Sequence, residues 1–279
     1  MHSIQSRRAA FWALHESGCF AMPNPWDVGT ARYLRHLGFK ALATTSSGLS
    51  FSQGLPDMDW AVPLDVVLEH VAQIAAATEL PVNVDFESGY ADDPDGVARN
   101  VAACVALGAA GLSIEDATGE GDAPLYAPDL AVERIRAAKA VTGPAGVVLT
   151  ARAECFLVGH PDPLPEAIRR LRAYAEAGAD VLYAPGIRTR EQIVAVVEAV
   201  APKPVNVLVS ADIGLTLDDL RALGVRRVSI GSGMARAAWG GFLRAARTLA
   251  AEGRFAGFDG AEPFADLNAF FREDLERRS

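Results

Sequence analysis

The chain has 279 residues, of which 50% are hydrophobic and 22% are charged, and its formal net charge at pH 7 is -9. This length and composition suit one large globular domain or two small ones. The negative charge argues against a nucleic-acid-binding protein, because phosphate backbones require a basic surface. An anionic substrate would have to be held by a few local donors rather than by the overall charge.

The three cysteines, Cys19, Cys104 and Cys155, show no C-x-x-C spacing. Zinc sites and disulfide frameworks need paired or clustered thiols, so we expect three reduced and mostly buried cysteines. The chain does not open with a charged segment followed by an apolar one, and it has no uncharged run of about 18 residues. We therefore expect a cytoplasmic protein that binds neither nucleic acid nor membranes.

Eight short apolar segments rich in β-branched residues recur along the chain, and each is followed by a stretch with helical spacing. The predicted strands are residues 19–24, 41–45, 82–87, 111–116, 147–153, 181–185, 205–209 and 227–230. They are apolar throughout rather than alternating, which is typical of parallel strands buried on both faces. Eight strands, each with a helix behind it, predict an α/β fold of the (β/α)8 TIM barrel type.

The helices between these strands, and two further regions, are also marked in the sequence. Residues 94–107 carry apolar side chains at helical spacing, and Gly108 follows as a typical helix stop. Residues 4–17 predict an extra helix before the first strand. We expect a single barrel domain over residues 1–279, within which residues 234–279 form a C-terminal helical extension.

A doubly wound open sheet would show the same alternation of strands and helices. Its dinucleotide-binding form carries G-x-G-x-x-G after the first strand. This chain has Asn24, Pro25, Trp26 and Asp27 at that place, so the barrel is favoured.

Charged residues end three consecutive predicted strands, where barrel enzymes place their active sites. The third strand ends with Asp85 and Glu87, the fourth with Glu115 and the fifth with Arg152. Residues two apart on a strand point the same way, so Asp85 and Glu87 are predicted to face the mouth beside Glu115. Single acids at strand ends can instead cap helices, but this explains three acids and an arginine less well.

Three acids in one mouth repel each other unless a cation or protons neutralise them. Magnesium prefers oxygen ligands, usually one or two carboxylates with water and substrate. Asp85, Glu87 and Glu115 are therefore a candidate site for Mg²⁺ or Mn²⁺. Arg152 offers a planar pair of donors for a substrate carboxylate. A metal ion and an arginine together suit a 2-keto or 2-hydroxy acid.

Taken in order, these motifs resemble the isocitrate lyase/phosphoenolpyruvate mutase superfamily over most of the chain. The matching segments are residues 23–27 (Pro-Asn-Pro-Trp-Asp), 44–49, 54–57, 84–90, 113–116, 150–154, 204–208 and 228–235. The resemblance implies a Mg²⁺-dependent barrel of the phosphoenolpyruvate/pyruvate-binding type. It also implies a homodimer or homotetramer in which the eighth helix is exchanged between neighbouring subunits.

The resemblance further implies roles for individual acids. Asp85 resembles the direct metal ligand, and Glu87 and Glu115 resemble the acids that hold metal-bound waters. Glu115 and Asp57 are candidates for a catalytic role in the same site.

Substrate contacts are implied in the same way. Ser46, Ser47 and Gly48 resemble the segment that binds the substrate carboxylate through hydroxyl and backbone N–H groups. Arg152 resembles the arginine on the substrate oxygens and is both a binding and a catalytic candidate. Asp85, besides its metal role, and Asn206 on the seventh strand are further candidates for contact with a small carboxylate substrate.

The loop after the fourth strand departs from the superfamily pattern. Lyases of the superfamily carry K-[KR]-C-G-H there and phosphonomutases a Lys and an Asn-Ser pair, whereas residues 117–124 read Ala-Thr-Gly-Glu-Gly-Asp-Ala-Pro. We therefore expect a Mg²⁺-dependent lyase that cleaves or decarboxylates a small 2-keto or 2-hydroxy acid through an enolate, with oxaloacetate decarboxylation needing the least machinery. The alternatives are P–C chemistry of the phosphonopyruvate hydrolase or phosphonomutase type, a metabolite-binding barrel without turnover, and an unrelated phosphosugar barrel.

Overall fold

Eight parallel strands with intervening helices form the first of two structural units in the chain. The computed structural model describes residues 3–57 and 60–278, and the units divide between Gly233 and Met234. The strands are β1 (Phe20–Met22), β2 (Leu42–Ala43), β3 (Val82–Asp85), β4 (Gly111–Glu115), β5 (Val148–Arg152), β6 (Val181–Tyr183), β7 (Val205–Leu208) and β8 (Arg227–Ser229). The helices of this unit are α1 (Ile4–Leu14), α2 (Val28–His36), α3 (Ser46–Ser52), α4 (Leu64–Ala77), α5 (Pro94–Ala106), α6 (Pro128–Ala145), α7 (Pro163–Glu176), α8 (Arg190–Val200) and α9 (Leu217–Ala222).

The strands form one parallel sheet in the order β1-β8-β7-β6-β5-β4-β3-β2. The two strands at the ends of this order meet through the Ala43 N–H, which donates to the Pro23 carbonyl oxygen at 3.0 Å. The sheet is thus a nearly closed (β/α)8 barrel, and the predicted fold class is confirmed. Each strand is shorter than its predicted segment because residues at the ends of the segment already belong to loops. After β2, for example, the Thr45 side chain caps α3 by accepting from the Gly48 N–H.

Helix α1 closes the barrel at the amino-terminal ends of its strands. Phe11 is fully buried in a cluster with inward-facing residues of β1, β2, β5 and β6. A Cβ on Gly111 would lie 2.4 Å from the Phe11 ring, so this strand position requires glycine. Arg8 fixes the helix by donating to the carbonyl oxygens of Val105, Ala109 and Ala145 at 2.7–3.0 Å.

A buried polar cluster joins the ends of β4 and β5 to α7. Asp116 accepts the Glu154 N–H on Oδ1 at 2.8 Å, and on Oδ2 it accepts from Arg170 at 3.1 Å and from the Tyr174 hydroxyl at 2.6 Å. Arg170 also donates to Glu166 at 2.7 Å. Because Asp116 holds the backbone of Glu154, it sets the path of the chain just beyond the end of β5.

The second unit contains α10 (Gly233–Glu252), a short 3-10 helix (Ala256–Phe258) and α11 (Phe264–Arg278). The sequence predicted a helical extension over residues 234–279, and these helices span nearly the same residues. Large apolar side chains are exposed along the unit, namely Trp239, Phe242, Leu243, Leu249, Phe255, Phe258, Phe264, Leu267, Phe271 and Leu275. In the described part of the chain, no helix is both long and apolar enough to cross a membrane.

Replacing Asp116 by alanine tests the buried cluster. The change removes the acceptor shared by Arg170 and Tyr174, and we expect it to lower the free energy of unfolding by roughly 3–5 kcal/mol, as when one partner of a buried ion pair is lost. Urea denaturation measures this loss. The matched control is Asp218→Ala. Asp218 forms an exposed ion pair with Arg221, so this variant should leave the unfolding midpoint unchanged. An Asp116→Ala variant as stable as the wild type would contradict the role given to this cluster.

Candidate active site

Arg152, the last residue of β5, forms ion pairs with three carboxylates at the carboxyl end of the barrel. Its Nη1 lies 2.8 Å from Asp85 Oδ1 at the end of β3, and its Nη2 lies 2.8 Å from Glu115 Oε2 at the end of β4. Its Nε donates to Glu154 Oε1, also at 2.8 Å. All three strands run in parallel, so their last residues meet at the same end. The structure thus brings together Asp85, Glu115 and Arg152 among the predicted residues and adds Glu154.

Asp85 is oriented by the chain that follows β2. Its Oδ2 accepts the Ser46 N–H at 3.1 Å, and its own N–H donates to the Thr44 hydroxyl at 2.9 Å. With Oδ1 on Arg152, both carboxylate oxygens have defined partners. The side chain remains 18% exposed, so it faces the pocket rather than the core.

Glu87 is held by different partners from Asp85. Strand β3 ends at Asp85, and Glu87 has a positive φ of 44°, so the alternation of a regular strand does not reach it. Its Oε2 accepts the Trp60 N–H at 2.8 Å and its Oε1 accepts the Tyr90 hydroxyl at 2.6 Å. Trp60 and Tyr90 also have positive φ and their rings stack. Left-handed non-glycine residues are costly and tend to cluster at functional sites.

The segment from Ser46 to Gly48 begins helix α3 beside Asp85. The Ser47 hydroxyl donates to Asp57 Oδ2 at 2.6 Å, which brings this predicted acid to the site. The Gly48 N–H donates to the Thr45 hydroxyl at 3.2 Å as part of the helix cap. A substrate carboxylate that binds here would therefore exchange with these internal acceptors.

A pocket that opens to solvent extends inward from Asp85 and Arg152. Asn206 lines its inner part, where the side chain is buried, accepts from Arg227 at 2.8 Å and donates to Ser229 at 2.9 Å. The candidate substrate residue Asn206 therefore lies in the same pocket as Arg152 but deeper in the barrel.

The acids around Arg152 outnumber it. Asp85, Glu115 and Glu154 carry three negative charges when ionised, against one positive charge. Burial raises the pKa of Glu115 well above its usual range, partly offset by Arg152, and burial also raises the pKa of Glu154. The set therefore needs protons or an added cation to reach neutrality.

The donor set fits a magnesium ion that is held by few protein ligands. Across residues 3–57 and 60–278 no three side chains of the metal-binding kinds are close enough to enclose an ion. Mg²⁺ usually keeps several waters and takes only one or two carboxylates. Asp85, exposed to the pocket and flanked by Glu87 and Glu115, offers hard oxygen atoms of that type.

The loop after β4 contributes no thiol. Residues Thr118 and Pro124 close it by a backbone hydrogen bond of 3.1 Å. Cys104 and Cys155 are buried and Cys19 is partly buried, all as free thiols. Burial raises the pKa of Cys104 and of Cys155 to about 12, so neither is a thiolate at neutral pH.

Three residues that shape the site were missing from the sequence-based set: Glu154, Tyr183 and Arg227. Glu154 follows Arg152 by two residues, and that spacing was a usable signal. The Tyr183 ring lies 5.2 Å from the Arg152 guanidinium carbon, a contact between strands that no local pattern indicates. Arg227 is a charged residue inside a predicted buried strand, which was also a usable signal.

The fold and these residues define a (β/α)8 barrel with a pocket lined by carboxylates and an arginine at the carboxyl ends of its strands. The chain belongs to the phosphoenolpyruvate phosphomutase family, whose profile matches residues 11–250. This places it in the isocitrate lyase/phosphoenolpyruvate mutase superfamily of Mg²⁺-dependent lyases and mutases, and the resemblance found in the sequence is confirmed.

Individual relatives support this assignment. A crystal structure of a lyase/mutase candidate from Burkholderia cenocepacia J2315 is 49% identical, with a TM-score of 0.92 and coverage of 97% of this chain and 98% of that one. An oxaloacetate decarboxylase from Rhodopseudomonas palustris (strain BisB5) is 33% identical over 203 residues, 70% of this chain and 68% of the relative. A structure of phosphonopyruvate hydrolase with oxalate and Mg²⁺ is 27% identical, with a TM-score of 0.85 and coverage of 98% and 96%.

Exchanging Arg152 for lysine tests the centre of the site. An ammonium group cannot reproduce the planar donors that contact three carboxylates, and we expect a loss of about 2–4 kcal/mol in transition-state binding. Steady-state kinetics measures it as a fall in kcat/KM. In the matched comparison, replacing Cys19, Cys104 and Cys155 by serine or alanine should cost stability but preserve turnover. An inactive Cys155 variant together with a nearly normal Arg152→Lys variant would contradict these roles and indicate that a thiol acts as the acid or base.

Proposed function

We propose that the protein is a Mg²⁺-dependent lyase that cleaves or decarboxylates a small 2-keto or 2-hydroxy acid and stabilises the resulting enolate. The observation that carries this proposal is the pairing of Arg152 with Asp85, Glu115 and Glu154 at the pocket mouth. Membership of a family of lyases and mutases supports it. The 33% sequence identity to an oxaloacetate decarboxylase supports the proposal as well.

Arg152 is the group proposed to bind the substrate carboxylate. Its three N–H directions already end on carboxylate oxygens at 2.8 Å, which shows that the guanidinium matches this ligand geometry. A substrate carboxylate would replace one of these acids on Arg152. Tyr183 and the remaining acids would keep the guanidinium in place during the exchange.

Asp85 is proposed to hold the metal ion, with Glu87 and Glu115 orienting its bound waters. Bound Mg²⁺ would supply positive charge that stabilises the developing enolate oxygen. Asp85 would keep its orientation through the Ser46 N–H, and Ser47 with Gly48 would present donors to the substrate. Asp57, bonded to Ser47, is proposed to orient that hydroxyl.

Decarboxylation is the reaction that requires the fewest catalytic groups from this chain. When CO₂ leaves, the electrons of the broken C–C bond move into the enolate, and no residue has to protonate the leaving group. The loop after β4 offers Glu120 and Asp122 rather than a Lys, His or Cys. An acidic loop also repels a phosphoryl group, which disfavours P–C cleavage.

A panel of 2-keto and 2-hydroxy diacids with Mg²⁺, assayed for pyruvate release, tests the proposal. We expect release of pyruvate or a homologue from at least one member, with oxaloacetate the first candidate. Phosphonopyruvate belongs in the panel, and phosphate release from it alone would replace the proposal by P–C hydrolysis. Calorimetric binding of several acids without any product would indicate a metabolite-binding barrel.

Removing Asp85 separates the metal site from the rest of the pocket. We expect Asp85→Ala to lose both Mg²⁺ binding, measured by calorimetry, and turnover, because it is the carboxylate proposed to contact the ion. The control is Glu176→Ala at the exposed end of α7, which should leave both unchanged. Full wild-type activity in excess chelator would rule out the metal.

The second unit is proposed to pack against another copy of the chain, giving a dimer or tetramer. Large apolar side chains of this unit are exposed, such as Phe242 at 59% and Phe264 at 80%. Exposed apolar residues concentrated in one unit are typical of a protein–protein contact. Light scattering at micromolar concentration should give the mass of an oligomer, and Phe242→Glu should lower it. The control Leu37→Glu changes an equally exposed residue of the barrel unit. A monomeric wild type would contradict this assembly.

A further inference from the structure

Arg227 is a buried cation on the floor of the same pocket. It begins β8, is only 1% exposed and lines the cavity that opens at Asp85 and Arg152. Its Nε donates to Asn206 Oδ1 and its Nη2 donates to the Thr150 hydroxyl, both at 2.8 Å. The side chain is therefore fixed in one orientation by neutral partners.

Within residues 3–57 and 60–278, no carboxylate forms an ion pair with Arg227, and none contributes to its pKa. Its third partner is His15, whose Nε2 lies 3.4 Å from Nη1. His15 Nδ1 faces the Phe11 carbonyl oxygen at 2.7 Å, which assigns the ring proton to Nδ1. Burial, and then Arg227, lower the pKa of His15 to about 3, so this neighbour is neutral as well.

A buried arginine is normally paired, because a charge removed from water costs free energy that only an opposite charge recovers. Arg170 follows this rule, since Asp116 and Glu166 neutralise it. Arg227 has no such acidic partner. Burial lowers its pKa to about 9, so the side chain is still charged at neutral pH. The missing counter-charge and the adjoining cavity point to a ligand that supplies the anion.

We propose that Arg227 forms, with Asn206 and Ser229, a second carboxylate-binding subsite on the pocket floor that holds the remote carboxylate of the substrate. The subsite rests on the proposed function, because it takes the pocket below Arg152 to be the substrate pocket. It makes Arg227 a specificity-determining residue that favours short dicarboxylic acids over monocarboxylic ones.

The spacing of the two arginines fits such a ligand. Arg227 contacts Thr150, which precedes Arg152 by two residues on β5. Two residues of a parallel strand rise roughly 6.6 Å, so the guanidinium groups lie about one inward-facing layer apart. The carboxyl carbons of a three- or four-carbon diacid are separated by less than this rise, so such a ligand is short enough to lie between the two layers with one carboxylate directed at each. One end would bind at Arg152 and the other would point to Arg227.

Calorimetric titration with unreactive ligands tests the subsite without requiring turnover. Malonate and succinate are the diacid probes and pyruvate is the monocarboxylate probe, each in the presence of Mg²⁺. The wild type should bind the better diacid more tightly than pyruvate. Arg227→Gln should weaken diacid binding roughly tenfold or more, the effect of losing a charge-assisted hydrogen bond, and change pyruvate binding by less than about twofold on the same scale.

The neighbouring Arg226 provides the matched control, because its side chain donates to the Gly18 carbonyl oxygen at the barrel surface. Arg226→Gln should change the affinity for neither ligand. If Arg227→Gln does not fold, Arg227→Lys keeps the buried charge and must still bind diacids more weakly, since it lacks the planar donors. Equal affinity of the wild type for pyruvate and diacids overturns the proposal. Unchanged diacid binding in the Arg227 variant, or equal weakening of both ligands, overturns it too.

The source of the anion is decided by titrating formate into the pyruvate-saturated wild type. Formate binding that depends on Arg227 and leaves diacid binding unaffected would mean a free-anion site, and would overturn the assignment to substrate. Because none of these probes is turned over, the subsite can fail while lyase activity is found. It can also hold while every reaction in the substrate panel fails.

Discussion

The ion pairs of Arg152 are the interaction on which the candidate site depends. Residues of β3, β4 and the chain after β5 supply the three carboxylates, each 2.8 Å from a different nitrogen of one guanidinium. Asp85 is fixed in turn by Thr44 and Ser46. Asp116 fixes the backbone of Glu154. The positions of the strand ends in the barrel therefore determine where the carboxylates contact Arg152.

The charge of this arrangement connects structure to chemistry. Three acids around one cation leave an excess of negative charge in a partly buried place, which repels an anionic substrate. A divalent cation at Asp85 would remove that excess and would create, with Arg152, two positive groups for a carboxylate and an adjacent oxygen. The proposed Mg²⁺ dependence and the proposed binding of a 2-keto acid would both follow from this imbalance.

Much of the fold followed from the sequence, because burial on both faces of a parallel strand leaves a strong local pattern. All eight strands and the extra helix before β1 were predicted from such segments. The acids and arginine at three strand ends were also found, since strand ends in a barrel must converge. The positive φ of Glu87 was not foreseen, because it depends on contacts with Trp60 and Tyr90 rather than on its own segment.

Contacts between strands that are distant in the sequence could likewise not be predicted from local patterns. Nothing local shows that Arg152 pairs with Asp85, 67 residues away. The same applies to Arg227, which reaches Thr150 across 77 residues. Its isolation from acids is visible only once the strands are assembled, although a charged residue in a buried strand was a warning of a special role.

A crystal structure of the protein with Mg²⁺ and oxalate, a flat dianion shaped like the enolate, would show whether Arg152 and Asp85 bind substrate and metal. We expect oxalate in the pocket within hydrogen-bonding distance of Arg152, the metal beside Asp85, and the Arg152–Asp85 pair opened to admit them. Metal and oxalate bound elsewhere, with all three ion pairs of Arg152 intact, would contradict these roles.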